Sequence, residues 1–183
     1  MEWIIPGTVL TARREDAAQI EHQFSSMFLA GGIVLSQVCS ITGLEAYAVQ
    51  NWVKRGFLSP PERKRYSLEQ LCRIININML KNVLPMERIV GLLSYINGDL
   101  DDESDDIIDD SALYFMFTRL AAQATVMNNP GGRDALIARE LEAYREPVPG
   151  AKERVEKVLR IMLTAWASAQ LRQATEQMLE NLT

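Results

Sequence analysis

Residues 35–71 read LSQVCSITGLEAYAVQNWVKRGFLSPPERKRYSLEQL, and the stretch from Val34 to Ile96 that contains them organises the chain. Leu35, Val38 and Cys39 share one face of a short helix, and Thr42-Gly43 turns the chain. Leu44 fills the angle before a second helix, expected over Glu45–Arg55, whose core side is Val49, Trp52 and Val53. Those three recur at i, i+3 and i+4, the spacing of one helical face. Gly56 ends the helix, and Phe57 and Leu58 return to the core. Pro60-Pro61 stiffen an extended turn with Arg63, Lys64 and Arg65 at its tip. Ser67, with Gln70 three residues later, forms a capping box for a helix carrying Leu68, Leu71, Ile74, Ile75 and Leu80 to about Asn82. Pro85 opens a further helix with Ile89, Val90, Leu92, Leu93 and Ile96, closed by Asn97-Gly98.

This order of elements suits a helix-turn-helix unit, which places its second helix in the DNA major groove. The core side of residues 45–55 leaves Tyr47, Gln50, Asn51 and Lys54 on other faces. Gln and Asn side chains pair with adenine in that groove. Lys54 and the triple Arg63, Lys64 and Arg65 suit phosphates. The expected function is therefore sequence-specific, double-stranded DNA binding by a transcriptional regulator, with helix 45–55 reading bases and a basic wing over 60–66 on the backbone. The alternative is a protein-interaction adaptor that keeps the fold without binding DNA, since fold alone does not determine function.

Residues 35–96 resemble the N-terminal DNA-binding domain of MerR-type regulators, a winged helix-turn-helix. The resemblance rests on Gly43-Leu44-Glu45, Val49-Gln50-Asn51-Trp52, Gly56-Phe57-Leu58 and the wing end Arg65-Tyr66-Ser67. The paired tyrosines of those regulators are replaced here by Asn51 and Trp52, and arginines usual near Tyr47 and Gln50 are missing. From Phe24 to Ile89 the chain looks still more like an uncharacterised bacterial domain-of-unknown-function family with a MerR-like reading head. Long segments of Ala, Leu, Glu, Gln, Arg and Met favour helix, so an all-α fold is expected, ending in a C-terminal helical bundle with a long last helix; the resemblance implies a winged helix-turn-helix domain before it. It also implies a homodimer through the C-terminal helices.

Charge is segregated around this stretch. The chain carries a net charge of −5, yet residues 35–96 hold eight Lys/Arg against four Asp/Glu, while residues 97–110 hold eight acids and no base. The acidic run, NGDLDDESDDIIDD, repels itself and reads as a solvated linker. An EF-hand reading fails because the loop lacks its Gly at position six and Glu at position twelve. Asp109, Asp110 and Ser111 suit the start of the next helix. The expected domains are residues 1–98, the linker 99–110, and a dimerisation or effector-binding domain over 111–183.

Outside the head, residues 1–13 are expected to be an irregular arm broken by Pro6-Gly7. A helix is expected from Arg14 to about Leu29, with Thr11 a candidate cap and Gly31-Gly32 as a stop. Further helices are expected from Ser111 to about Met127, from Asp134 to about Tyr144 and from Ala151 to about Leu182, with NNPGGRD as a loop. Val155, Leu159, Met162, Trp166 and Ala169 repeat at nearly heptad spacing. That stripe is either a buried seam within the bundle or an intersubunit seam.

Apolar residues at 48% and charged residues at 23% are ordinary for a globular chain. No apolar run approaches the ~20 residues that span a bilayer, and the N-terminus lacks the pattern of a secretory signal, so a cytoplasmic protein is expected. His22, the sole histidine, stands apart from both cysteines, and zinc sites need three or four ligands. Cys39 and Cys72 fall on apolar faces and read as packing thiols. No nucleophile, base or metal motif is present, and neither an enzyme nor a cofactor is expected.

Overall fold

The computed structural model describes residues 2–98, 100, 106–123 and 130–182, and the chain opens on a β-hairpin rather than an irregular arm. β1 (Glu2–Ile4) pairs antiparallel with β2 (Thr11–Arg13), Glu2 opposite Arg13. Between them the Thr8 N–H donates to the Ile5 carbonyl at 3.1 Å. Pro6 fixes the first central φ and Gly7 supplies +75° at the second, the requirement of a type II turn. The Pro-Gly pair is the turn of a regular element, not its interruption. Trp3 and Ile5 are buried, and a Cβ on Gly7 would lie 2.6 Å from the Ile75 carbonyl oxygen.

A 3-10 segment, Arg14–Gln19, leads into α1 (Ile20–Met27). Thr11 lies in β2, so the position before this segment is Arg13, which makes no side-chain cap. His22 is exposed. After Gly31 and Gly32, both at positive φ, β3 (Ile33–Val34) pairs antiparallel with β4 (Arg65–Tyr66). This second small sheet brackets α2 (Leu35–Thr42) and α3 (Ala46–Lys54). Helix α3 is one residue shorter at each end than its sequence suggests, because Glu45 is extended and Arg55 leaves helical geometry. Gly43 turns the chain at φ 69°. The Val9 N–H donates to the Ile41 carbonyl at 2.9 Å, which seats the N-terminal hairpin on this turn.

Next come α4 (Leu68–Leu80) and α5 (Met86–Asn97), close to their expected limits. The capping box forms as its sequence requires: Ser67 Oγ accepts the Gln70 N–H at 3.1 Å, and the Ser67 N–H donates to Gln70 Oε1 at 2.9 Å. Residues 71–77 are buried without a break, because α4 packs against α2, α5, α6 (Asp110–Ala121) and α8 (Ala151–Glu180). Asp109 Oδ1 caps α6 by accepting the Ala112 N–H at 2.7 Å. The core is one hydrophobic cluster that includes Trp3, Leu71, Phe117 and Trp166.

The helix expected from Ser111 to Met127 ends at Ala121, and residues 124–129 lie outside the described residues, as do 99 and 101–105 of the acidic run. Helix α7 (Pro130–Glu140) starts inside the predicted NNPGGRD loop. Proline suits a first helical position, where no N–H is needed and φ is already helical. Helix α8, about 45 Å long at 1.5 Å per residue, carries the predicted stripe. Val155, Leu159 and Met162 have no exposure and Trp166 has 6%, with Trp166 edge-on to Phe117 at 6.0 Å. That stripe is therefore spent inside the chain. Among the described residues the fold is mostly helical, with eight α-helices and two two-stranded sheets.

Candidate nucleic-acid interface

Burial of one side of α3 dictates what the other side presents. Val49 and Trp52 are buried and Val53 half-buried. Tyr47, Gln50, Asn51 and Lys54 stand at i, i+3, i+4 and i+7 on the outward face, all exposed, Tyr47 at 73%. Among the described residues none of these four side chains has a hydrogen-bond or ion-pair partner in the chain. Arg55 is committed elsewhere: its guanidinium stacks 4.4 Å over Phe57 and reaches Glu87 at 3.4 Å.

The basic loop closes in a two-residue turn. The Arg65 N–H donates to the Glu62 carbonyl at 2.8 Å, and Arg63 and Lys64 occupy the two central positions at φ 47° and 66°. Positive φ at both central residues defines a type I′ turn, which favours Asn-Gly because side chains there cost energy, about 1–2 kcal/mol per L-residue. Arg63 and Lys64 are the non-glycine residues at positive φ among those described. Both are exposed. The Arg63–Glu62 contact at 3.9 Å, with both side chains near 90% exposed, contributes little in water. Arg65 differs, because its Nη1 donates to the Gly32 carbonyl at 3.0 Å and braces β4 against the turn before β3. The four α3 residues thus form one group and Arg63-Lys64 another, with Arg65 serving the scaffold between them.

Two side chains hold this loop: Gln70, read from the sequence only as half of the capping box, and Arg73, which the sequence left unassigned. Gln70 Nε2 donates to the Ser59 and Pro60 carbonyls, each at 3.1 Å, so the residue that caps α4 also pins the base of the turn. Arg73 is 2% exposed; its Nε donates to the Phe57 carbonyl at 2.9 Å and its Nη1 to Asp110 Oδ2 at 3.0 Å. Burial raises the Asp110 pKa, and the Arg73 charge and hydrogen bond pull against it. The run read as a solvated linker therefore ends in a buried ion pair. The available signal was Ile107-Ile108, an apolar pair among carboxylates; both are 6% exposed.

Burial pushes the pKa of the Cys72 thiol well up and that of half-buried Cys39 upward too, the opposite of a reactive thiolate. Among the described residues no group of three or more His, Cys, Asp or Glu is placed to hold a metal ion, and no helix is long and apolar enough to cross a membrane.

Comparison with known proteins adds sequence relatives but no function. The Bacillus subtilis (strain 168) protein named "Uncharacterized protein YkrK" is 35% identical over 86 residues. That alignment covers 45% of this chain and 37% of the relative, so the chain spans little more than a third of the length of the protein it matches. No solved structure matches. Residues 33–117, from β3 into α6 and so including the α3 face, the basic turn and Asp110, match the family described as Domain of unknown function (DUF1836).

Proposed function

We propose that the chain is a cytoplasmic, sequence-specific DNA-binding regulator whose head is a winged helix-turn-helix similar to that of MerR-type proteins. Helix α3 enters the major groove with Tyr47, Gln50 and Asn51 toward base edges, while Lys54, Arg63 and Lys64 engage phosphates and Arg65, expected there too, braces the turn that carries them. The observation that carries this reading is the strained turn. Backbone strain held by surrounding structure concentrates at functional positions, and here it holds two exposed cations, Arg63 and Lys64, at positive φ. The polar face of α3, unpartnered among the described residues, supplies the reading surface.

Such regulators bind pseudo-palindromic sites as dimers, and α8 offers a second copy a face. Ile161, Thr164, Ser168, Leu171, Thr175, Met178 and Leu182 repeat at three and four, and all are exposed, with Leu171 at 65% and Met178 at 69%. This spacing is that of a coiled-coil seam, on the side of the helix away from the buried stripe.

The test is a pull-down of sheared genomic duplex followed by anisotropy on the recovered fragments. Affinity should fall steeply between about 50 and 200 mM salt, and Arg63→Ala with Lys64→Ala should lower the slope of log K against log salt by about 2. Gln50→Ala with Asn51→Ala should flatten sequence preference instead. Failure to retain duplex at low salt, or binding indifferent to both double variants, removes the DNA-binding reading and leaves the adaptor.

A further inference from the structure

A groove of about 820 Å³ runs between the N-terminal hairpin, the C-terminal end of α4 and the second half of α8. Its apolar part is formed by Trp3, Met79 and Trp166, which are 7%, 6% and 6% exposed. Helix α8 adds amides from Gln170, Gln173 and Gln177, spaced four, three and four from Trp166 and so on the face opposite the exposed stripe. The volume falls in the ~300–1,000 Å³ range of small-molecule sites, and around that narrow apolar floor polar and charged side chains make up most of the wall.

Of the groove's two acids, Glu176 pairs with Arg172 at 3.4 Å, while Glu2 has Arg13 across from it in the hairpin register without forming an ion pair. Arg14 donates to the Ala121 and Ala122 carbonyls and stacks 4.9 Å over Trp3. Lys81 has no ion-pair partner among the described residues, and partial desolvation lowers its pKa. The Trp3 indole N–H, buried out of reach of the groove, has no acceptor among the described residues. Two indoles and a thioether favour a planar ring through aromatic and sulfur–aromatic contacts, and Lys81 favours an anion.

We propose that this groove binds a small aromatic carboxylate, its ring against Trp3, Met79 and Trp166 and its carboxylate on Lys81. The site adjoins the head through one side chain. Asn78 Nδ2, in the groove wall, donates to the Gly7 carbonyl and to the Thr42 carbonyl at the end of α2, each at 2.9 Å. Occupancy therefore acts on the hairpin and on the base of the α2–α3 turn together. That this regulates DNA binding rests on the function proposed above; ligand binding itself does not.

Three tryptophans, Trp3, Trp52 and Trp166, give three indole N–H signals in a proton–nitrogen correlation spectrum of the full chain. Titration with indole-3-acetate and with salicylate should move the Trp3 and Trp166 signals to saturation and leave Trp52, on the buried side of α3, in place. Lys81→Met should weaken the titration about tenfold while leaving the unliganded spectrum folded, and uncharged indole should bind less well than indole-3-acetate. No shift at millimolar probe, uniform shifts of all three indoles, or unchanged affinity in Lys81→Met would each overturn the site. Indole shifts in a protein that fails to retain duplex DNA would keep the site and remove only its regulatory role.

Discussion

The Arg73 guanidinium and the Asp110 carboxylate meet at 3.0 Å with side chains only 3% and 9% exposed, and they tie the exit of α3 to the first turn of α6. Arg73 spans from the Phe57 carbonyl to Asp110, while Asn76 approaches Asp110 from the next turn of α4 at 3.4 and 3.5 Å. Removing one partner of a buried pair strands the other charge. Asp110→Ala is therefore expected to cost about 3–5 kcal/mol, and Asp110→Asn much less, because its amide oxygen still accepts from Arg73. Urea unfolding of both variants measures the difference; equal losses would mean that Arg73 is held by its Phe57 contact alone.

The same carboxylate makes a pH prediction whose sign is fixed. Burial raises its pKa above 3.8 in the folded protein, with Arg73 opposing. A raised folded value means that the stability it contributes is fully present below the unfolded pKa and is lost as pH rises through the folded one. Asp110→Asn lacks this titration and cancels the other carboxylates in the comparison. The stability of the wild-type protein relative to Asp110→Asn should thus fall as pH is raised from about 4 toward 7. A relative stability that grows over that interval would contradict the assigned direction.

The N-terminal turn is expected to be intolerant where other glycines are not. Gly7 and Gly56 share positive φ, 75° and 71°, but a Cβ at Gly7 meets the Ile75 carbonyl at 2.6 Å while one at Gly56 meets nothing within 4 Å. Gly56→Ala should cost the backbone term alone, about 1–2 kcal/mol. Gly7→Ala adds a clash with a backbone atom that cannot rotate away, and about 3 kcal/mol or more is expected. Denaturant midpoints of the two variants decide this, and similar losses would show that the hairpin lifts off α4 without penalty.

These features mark where the sequence was legible. Helices α2 to α5 were readable because apolar periodicity, Gly43, the Ser67/Gln70 box and Pro85 all act within a few residues, and the structure uses each locally. The outward face of α3 followed from the inward one. The hairpin was missed because Pro6-Gly7 signals a turn without saying whether its flanks pair, and pairing here depends on burying Trp3 and Ile5 against distant helices. Asp110 was read correctly as part of a helix start, but its buried pairing was missed for a similar reason: charge density argues for solvent, and only a partner 37 residues away reverses it. The α8 stripe was seen, but periodicity marks a buried face without saying whose atoms bury it.

The basic turn separates stability from the proposed activity. Replacing Arg63-Lys64 by Asn-Gly supplies the pair that type I′ geometry favours and should stabilise the protein by about 1 kcal/mol. The same change removes two exposed cations, so duplex binding should weaken and its salt slope fall by about 2. A more stable protein that binds DNA as before would show that the strain at Arg63 and Lys64 serves no phosphate contact.

The exposed stripe of α8 can be tested without touching the core. Leu171 and Met178 are seven residues apart, 65% and 69% exposed, and the helix buries nothing beyond Ala167. Lysine at both positions keeps helix propensity and leaves folding stability within about 0.5 kcal/mol. Trp166→Ala, on the buried face, should instead cost about 3–5 kcal/mol. If Leu171 and Met178 face a second copy, the double lysine variant should sediment as a monomer at concentrations where the wild-type protein is a dimer. It should also lose affinity for two-fold sites while keeping weak binding to half-sites, because linking two heads raises the effective concentration of the second. A wild-type protein that sediments as a monomer at high micromolar concentration would remove the dimer and leave this stripe a solvated face.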